Sequence, residues 1–228
     1  MTSAVLFDLE DTLVQTPWSD FQHVLEFRRE TRAKLVELGI PPKVLEGVGR
    51  ATIMRIEATE YVEENLSKAE AVRFYQEMEK FLSRYELDSA ERSKLFSDTI
   101  PALKELRRLK VKMGVVTNTS SKAVDVVFRL HSLRRYFDVV ITRDVVRRLK
   151  PEPEGILLAV RKLGVESFSM VGDLDLDALA AKSAGGKSII VMRHPDEHLN
   201  LQADHIVQSL TVIPKIIQSE RWKPRCSK

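Results

Sequence analysis

The feature that most constrains the fold is a regular alternation of short apolar runs with helix-like runs from residue 99 onward. The runs VKMGVVT, FDVVIT, SFSMVG and KSIIVM are short and rich in β-branched residues, which is typical of buried strands. Between them lie segments with apolar residues at helical spacing, such as SKAVDVVFRLH and PEPEGILLAVRKLG. Strands separated by helices of this length form βαβ units, so the sequence predicts a parallel sheet with helices on both faces.

The N-terminal run SAVLF is predicted to be another strand of this sheet, although a long helical block separates it from the others. Residues 18–86 carry apolar side chains at helical spacing and no strand signal, and Ser67 is a suitable N-cap for one of the helices. We therefore expect an α/β protein of two domains. Residues 1–15 and 88–228 would form a Rossmann-like core, and residues 16–87 an inserted α-helical domain.

Composition and charge limit the classes of function that the chain can have. The 36 basic and 33 acidic residues give a formal net charge of +3, which offers no basis for binding nucleic acid or an anionic membrane. No apolar run reaches the roughly 18 residues that a transmembrane helix requires. The single cysteine, Cys226, cannot form an intramolecular disulfide, and the N-terminus lacks the pattern of a secretory signal. These features predict a cytoplasmic protein.

Polar side chains gather where the predicted strands end. In an open parallel sheet, ligands bind outside the carboxyl ends of the strands, so these residues are expected to lie together. They are Asp8, Glu10, Asp11 and Thr12 after the first strand, Thr117, Asn118, Thr119 and Ser120 after VKMGVVT, Asp173, Asp175 and Asp177 after SFSMVG, and Lys150 before a helix. Each group alone has a plainer explanation, such as a solvated turn, a helix cap or a surface lysine. Their joint occurrence at the strand ends favours a functional site.

The four groups also resemble, in order and spacing, the motifs of the haloacid dehalogenase-like superfamily. The matching stretches are DLEDT at 8–12, TN at 117–118, KPEP at 150–153 and GDLDLD at 172–177. Four motifs in the same order make the resemblance specific, although one alone would be weak. The helical block between the first two motifs stands where this family carries a C1-type cap domain.

The resemblance implies a Mg²⁺-dependent phosphatase that acts through an aspartyl-phosphate intermediate. Such chemistry needs a nucleophile, a cation against the developing charge and donors for the nonbridging oxygens. By resemblance, Asp8 is the nucleophile, Glu10 the acid and base, and Thr117, Asn118 and Lys150 the groups that hold the phosphoryl group. The Mg²⁺ ligands would be Asp8, Asp173 and the backbone carbonyl of Glu10, with Asp177 in or near the coordination shell. Asp175 is better explained as a helix-start residue.

Glu10 departs from the family pattern, because the phosphatases of the family have an aspartate two residues after the nucleophile. A glutamate keeps the carboxylate but moves it by on the order of 1 Å, and a displacement of that size can reduce a rate roughly 10²-fold. The expected substrate is a small phosphorylated metabolite, handled by a monomer or a homodimer. Three alternatives follow from the same motifs: a phosphomutase, a dehalogenase, and a binding protein whose catalysis has decayed at Glu10. The acid at position 10 disfavours the dehalogenase.

Overall fold

The computed structural model describes residues 3–17, 20–193 and 202–221. Cys226, on which the cytoplasmic prediction partly rests, lies outside the described residues. Within the described residues, no helix is both long enough and apolar enough to cross a membrane.

The chain contains eight strands and eight α-helices in its described parts, with a few short 3₁₀ turns between them. The strands are β1 (Ser3–Phe7), β2 (Val14–Gln15), β3 (Lys94–Leu95), β4 (Lys112–Val116), β5 (Val139–Ile141), β6 (Ser167–Gly172), β7 (Lys187–Val191) and β8 (His205–Val207). The helices are α1 (Phe21–Glu37), α2 (Ala51–Asn65), α3 (Lys68–Arg92), α4 (Thr99–Arg108), α5 (Ser121–His131), α6 (Glu154–Leu163), α7 (Asp175–Ser183) and α8 (Ile213–Arg221).

Six of the described strands form one parallel sheet in the order β5-β4-β1-β6-β7-β8, which confirms the predicted Rossmann-like fold. The first strand, β1, lies between β4 and β6, with Phe7 beside Val115 on one side and Val171 on the other. The chain moves outward from β1 to β4 and β5, then returns across β1 to β6. The strand order reverses at β1, so the region beyond its carboxyl end is the expected ligand site.

Apolar side chains from the strands and the flanking helices form the core of this unit. Leu6, Ile141 and Met170 of the sheet are almost fully buried and pack in one cluster with Ile156 of α6 and Ala180 of α7. Burial of a large aliphatic side chain stabilises a fold by roughly 1.5–3 kcal/mol. Because this packing fixes β1 between its neighbours, it also fixes the positions of the residues that follow each strand.

The chain divides into two compact units, one formed by residues 1–15 and 93–228 and the other by residues 16–92. The second junction lies at 92/93 rather than at 87/88, because α3 continues without interruption to Arg92. This continuation could not be recognised from the apolar spacing, since the last turns of α3 are polar. Residues 88–92 therefore belong with the helical unit.

The helical unit, residues 16–92, has a hydrophobic core of its own. Phe74, Met78 and Leu82 lie four residues apart on α3 and pack in one buried cluster with Leu35 of α1 and Met54 of α2. Side chains at this spacing lie on one face of a helix, which is why the sequence pattern predicts a helical block correctly. The remaining members of the cluster are Ile40, Leu45, Ala58 and Val62.

Ser67 begins α3 with reciprocal hydrogen bonds. Its backbone N–H donates to Glu70 at 2.9 Å, while its hydroxyl accepts from the Glu70 N–H at 3.4 Å. The predicted N-cap is therefore confirmed as a capping box. The short antiparallel pair of β2 with β3, Val14 beside Leu95, is not predicted from the sequence, because two-residue strands have no readable periodicity.

Candidate active site

Three adjacent strands of the sheet place the candidate residues at one edge. Asp8 follows β1, and its N–H donates to the Val171 carbonyl of β6 at 2.8 Å. Thr117 follows β4, and its N–H donates to the Ile141 carbonyl of β5 at 3.0 Å. Asp173 follows β6. The hydrogen-bond ladder thus continues one residue past β1 and β4, and it fixes the backbone position of Asp8 and Thr117.

Lys150 lies buried between two carboxylates. Its Nζ is 2.7 Å from Asp8 Oδ1 and 2.6 Å from Asp177 Oδ1, and only 5% of the residue is exposed. Charge-assisted hydrogen bonds of this length are among the strongest in proteins. The three residues come from distant parts of the sequence, and together they form an acid–lysine–acid bridge at the carboxyl edge of the sheet.

Burial and crowding shift the protonation of this cluster. Burial raises the pKa of Asp177 to about 6, with the Asp8 charge adding to the rise and Lys150 opposing it. Burial also raises the pKa of Asp173 well above its usual value, reinforced by the charges of Asp177, Asp8 and Asp11. Burial alone would lower the pKa of Lys150, but the two carboxylates outweigh it and raise that pKa. More negative charge is gathered here than one lysine compensates.

Oxygen atoms of Asp8, Asp173 and Asp177 lie within 4.8 Å of one another, close enough for a single cation to contact all three. Oxygen donors with excess negative charge suit a hard divalent cation such as Mg²⁺. The donor set and the raised carboxylate pKa values therefore fit the predicted metal. The coordinating role predicted for the Glu10 carbonyl stays a prediction.

Gly172 makes room for Asp177. A Cβ built on Gly172 would lie 2.2 Å from the Asp177 carboxyl carbon, so no larger residue fits without moving that side chain. Asp177 Oδ2 also accepts a hydrogen bond from the Leu174 N–H at 3.2 Å, at the start of α7. Asp175 is the first residue of α7, in agreement with its interpretation as a helix-start residue.

Thr12, one of the predicted strand-end residues, supports Asp173, and Arg193, which is not among the predicted candidates, in turn contacts Thr12. The Thr12 hydroxyl donates to Asp173 Oδ1 at 2.9 Å, and the Thr12 carbonyl accepts from the Arg193 guanidinium at 2.6 Å. Arg193 is itself held by Asp98 at 2.9 Å and stacks over Phe96, with 3.8 Å between the guanidinium carbon and the ring centroid. Arg193 sits just after β7, so its link to the loop after β1 depends on the tertiary fold.

Glu10 contacts the turn after β4. Its Oε2 accepts a hydrogen bond from the Thr119 hydroxyl at 2.8 Å. The Thr117 hydroxyl lies 3.2 Å from the Thr119 hydroxyl and also accepts from the Thr119 N–H at 3.3 Å. Ser120, the next residue, caps α5 by accepting from the Ala123 N–H. The turn after β4 therefore links two predicted catalytic residues, Thr117 and Glu10, through Thr119.

Asn118 braces the backbone that carries Lys150. Its amide N–H donates to the Lys150 carbonyl at 3.1 Å, and its Oδ1 accepts from the Lys150 N–H at 3.0 Å. This pair of hydrogen bonds fixes the backbone from which the buried Lys150 side chain extends. The phosphate contact predicted for Asn118 stays a prediction, and the described contacts of its side chain are to Lys150.

The structure brings Asp8, Lys150, Asp173 and Asp177 together, and it links Thr117 to Glu10 through Thr119. Thr12, Thr119 and Arg193 are the residues for which the sequence suggested no role. Thr12 and Thr119 are among the polar residues that the sequence places at strand ends, but neither is given a specific function there. No local signal distinguishes Arg193 from other basic residues.

Comparison with known proteins identifies related sequences and folds. Residues 2–185 match the family described as haloacid dehalogenase-like hydrolase. The chain is 29% identical over 226 residues to N-acetylmuramic acid 6-phosphate phosphatase of Pseudomonas putida, covering 95% of this chain and 96% of that protein. It is 28% identical to pyrophosphatase PpaX of Bacillus mycoides, covering 83% of each.

A solved structure also matches along almost the whole chain. The crystal structure of a HAD phosphatase from Thermococcus onnurineus superimposes with a TM-score of 0.59 at 30% sequence identity, covering 95% of this chain and 98% of that one. The similarity therefore extends over both compact units rather than over the core motifs alone.

Proposed function

The chain belongs to the haloacid dehalogenase-like hydrolases, and on that basis we propose that it is a Mg²⁺-dependent phosphatase that hydrolyses a small phosphomonoester through a phosphorylated Asp8. The observation that carries the proposal is the buried bridge in which Lys150 contacts Asp8 and Asp177 at 2.7 and 2.6 Å. A cation beside a carboxylate orients it and offsets its negative charge as it approaches the phosphoryl group.

In the first step, an oxygen of Asp8 attacks the phosphorus and the bond from phosphorus to the substrate oxygen breaks. Glu10 gives its proton to the departing oxygen, so the alcohol leaves neutral and the phosphoryl group stays on Asp8. Lys150 holds Asp8 Oδ1, while no hydrogen bond to Oδ2 is found among the described residues. The same contact thereby orients the carboxylate and leaves one oxygen for attack.

In the second step, ionised Glu10 takes a proton from a water molecule that attacks the phosphorus, and the bond to Asp8 breaks. Inorganic phosphate leaves, Asp8 is regenerated and Glu10 is protonated again, so the net reaction consumes one water. Thr117 and Lys150 contribute the hydroxyl and ammonium donors for the nonbridging oxygens. Both are buried, and buried donors act more strongly than solvated ones.

Asp8, Asp173 and Asp177 would hold the Mg²⁺ ion, with the Glu10 carbonyl as a further ligand. When bound, the ion neutralises charge on the phosphoryl oxygens and on the carboxylate cluster. Thr12 keeps the Asp173 carboxylate in place by its hydrogen bond, and Lys150 does the same for Asp177.

The substrate class is a small phosphorylated metabolite. This agrees with the names of the relatives, which include an N-acetylmuramic acid 6-phosphate phosphatase and a pyrophosphatase. The cytoplasmic location and the monomeric or dimeric state stay predictions.

Phosphate release from a panel of phosphorylated metabolites tests the proposal. We expect release from at least one phosphomonoester with Mg²⁺ present and a loss of that activity when the metal is removed with a chelator and restored by adding it back. Product analysis separates hydrolysis from a mutase reaction, because a mutase would yield an isomerised sugar phosphate instead of inorganic phosphate. A complete absence of release across the panel would contradict the proposal.

The carboxylate cluster also predicts how stability depends on pH and Mg²⁺. Asp177 and Asp173 both have pKa values raised above those of the unfolded chain, so their protonated forms favour folding below roughly pH 4. The contribution of Asp177 is lost as the pH rises through its folded-state pKa of about 6. A divalent cation replaces the lost protons. We therefore expect Mg²⁺ to raise the free energy of unfolding, and with it the melting temperature, more at pH 7.5 than at pH 5. A Mg²⁺ concentration 100 times Kd adds about 2.7 kcal/mol to the free energy of unfolding.

Thermal unfolding with and without Mg²⁺ at both pH values measures this difference. Asp125→Asn is a suitable control, since Asp125 is an exposed residue of α5 away from the cluster. Its variant should show the same Mg²⁺ response as the parent protein. An equal Mg²⁺ response at the two pH values would rule out these carboxylates as the metal site.

A further inference from the structure

We propose that Thr119 is a positioning residue that makes a glutamate workable at position 10, an inference that rests on the function proposed above. Thr119 is 4% exposed, and its hydroxyl donates to Glu10 Oε2 at 2.8 Å. This distance is in the normal range for a hydrogen bond between a hydroxyl and a carboxylate. The two residues are 109 positions apart, so the contact depends on the fold.

The extra methylene of Glu10 gives its carboxylate more conformational freedom than an aspartate carboxylate has. A glutamate side chain has one more rotatable bond than an aspartate and reaches farther by roughly 1.5 Å, the length of one C–C bond. Unrestrained, its carboxylate would sample several rotamers, and only some would place the acid at the leaving oxygen. A buried donor at a fixed point selects one of those rotamers.

The position of Thr119 suits it to this task. The residue lies between the end of β4 and the start of α5, and both flanking elements hold the turn. Its N–H donates to the Thr117 hydroxyl at 3.3 Å, and Ser120 beside it caps α5. The Thr119 hydroxyl therefore projects from a backbone that has little freedom to move.

The same turn connects the acid to the phosphate-holding group. The Thr117 hydroxyl donates to the Thr119 hydroxyl at 3.2 Å, which is long for such a bond, while the bond from Thr119 to Glu10 has the ordinary length of 2.8 Å. A hydroxyl has a single hydrogen. When Thr117 donates to a phosphoryl oxygen, its weak bond to Thr119 is given up, and the Thr119 bond to Glu10 is unaffected. Substrate binding thus leaves Glu10 anchored.

An aspartate at this position would not need the anchor. From the same backbone, its carboxylate would lie nearer the main chain by roughly the length of one C–C bond, so we expect its hydrogen bond with the Thr119 hydroxyl to be weakened or lost. The contribution of Thr119 to catalysis should therefore depend on the residue at position 10. That dependence distinguishes a positioning role from a structural one, because a purely structural loss would be the same in both backgrounds.

A double-mutant cycle measures how far the contribution of Thr119 to catalysis depends on the residue at position 10. The four proteins are the parent, Thr119→Val, Glu10→Asp and the double variant, assayed with Mg²⁺ on para-nitrophenyl phosphate and on the panel compound hydrolysed fastest. In the parent background, we expect Thr119→Val to lower kcat on the order of 10- to 100-fold with little change in KM. In the Glu10→Asp background, the same substitution should change kcat only a few-fold.

Two further variants serve as controls. Thr119→Ser keeps the hydroxyl and should retain kcat within a few-fold of the parent. Thr31→Val removes another buried threonine hydroxyl, one without a hydrogen-bond partner in the helical unit, and should leave kcat unchanged. If Thr119→Val does not fold, as judged by circular dichroism and thermal unfolding, Thr119→Ala carries the same expectation.

The outcomes separate this inference from the proposed function. Equal losses from Thr119→Val in both backgrounds, or a gain in kcat, would overturn the positioning role while the phosphatase activity stands. A parent protein without phosphatase activity on any compound would overturn both. A large loss in the parent background, a small one beside Glu10→Asp and rescue by Thr119→Ser would establish Thr119 as the residue that positions Glu10.

Discussion

Asp8→Asn should abolish phosphatase activity, with a fall in kcat of roughly 10⁴-fold or more, the scale seen when a covalent nucleophile is removed. An amide is a poor nucleophile and cannot form the acyl phosphate. The protein should stay folded. The substitution weakens one contact of Lys150, but it also removes a negative charge that raises the pKa values of Asp173 and Asp177. These effects on stability oppose each other.

Mass spectrometry of the quenched enzyme gives a second measurement. In the parent protein we expect one phosphoryl group on the peptide that contains Asp8. The signal should be stronger in Glu10→Gln with para-nitrophenyl phosphate, because that leaving group departs without a proton and the variant then slows mainly the second step. The Asp8→Asn variant should carry none. Asp125→Asn removes one exposed carboxylate of α5 and should retain both activity and phosphorylation. Phosphate release by Asp8→Asn at the parent rate would rule out Asp8 as the nucleophile.

The residues whose location the sequence predicts correctly are those that follow strands. Asp8, Asp173 and Thr117 each come directly after a recognisable apolar run, and parallel strands bring their carboxyl ends to one edge. Knowledge of the strand positions is therefore enough to expect these residues to lie together. Lys150 belongs to a different class, because it follows no strand and only the family motif indicates it.

The contacts that hold these residues in place could not be predicted. Arg193 contacts the Thr12 carbonyl across a separation of 181 residues, and Thr119 contacts Glu10 across 109. Each depends on the particular turn geometry and side-chain rotamer at both ends, which no hydrophobic periodicity records. The boundary of α3 was misplaced for a related reason, since a polar helix continuing past its apolar stripe leaves no signal in the spacing.

Glu10 illustrates how the structure changes an interpretation based on the sequence. From the sequence, an extra methylene predicts a misplaced acid and lower activity. In the structure, the carboxylate of the longer side chain accepts a hydrogen bond from the buried Thr119 hydroxyl. The departure from the family pattern is thus matched by a partner elsewhere in the fold, and the substitution at position 10 should be considered together with Thr119.

Lys150→Met should have the second-largest effect, on stability as well as on activity. Lys150 is 5% exposed and contacts two buried carboxylates, and methionine has a similar shape without the charge. Removing one partner of a buried ion pair destabilises a protein by roughly 3–5 kcal/mol, because the remaining charge is left uncompensated. We expect a loss of this order in metal-free protein at neutral pH, together with a fall in kcat of roughly 10²- to 10³-fold.

The pH dependence identifies the cause of that loss. Without Lys150, the folded-state pKa of Asp177 should rise further, because the lysine is what opposes the effects of burial and of Asp8. Protonation then relieves the repulsion, so the variant should recover most of its stability at about pH 5 and lose it as the pH rises to about 7.5. Denaturant unfolding of metal-free protein at the two pH values measures the recovery.

Lys162→Met provides the matched control, since Lys162 lies exposed on α6. Removing that charge should change the free energy of unfolding by less than about 0.5 kcal/mol at either pH. If Lys150→Met behaved like this control, the bridge between Asp8 and Asp177 would contribute nothing to folding. If instead it lost stability equally at both pH values, the loss would come from packing. Recovery at low pH confined to Lys150→Met would show that the lysine stabilises the fold by compensating the charge of the buried carboxylates.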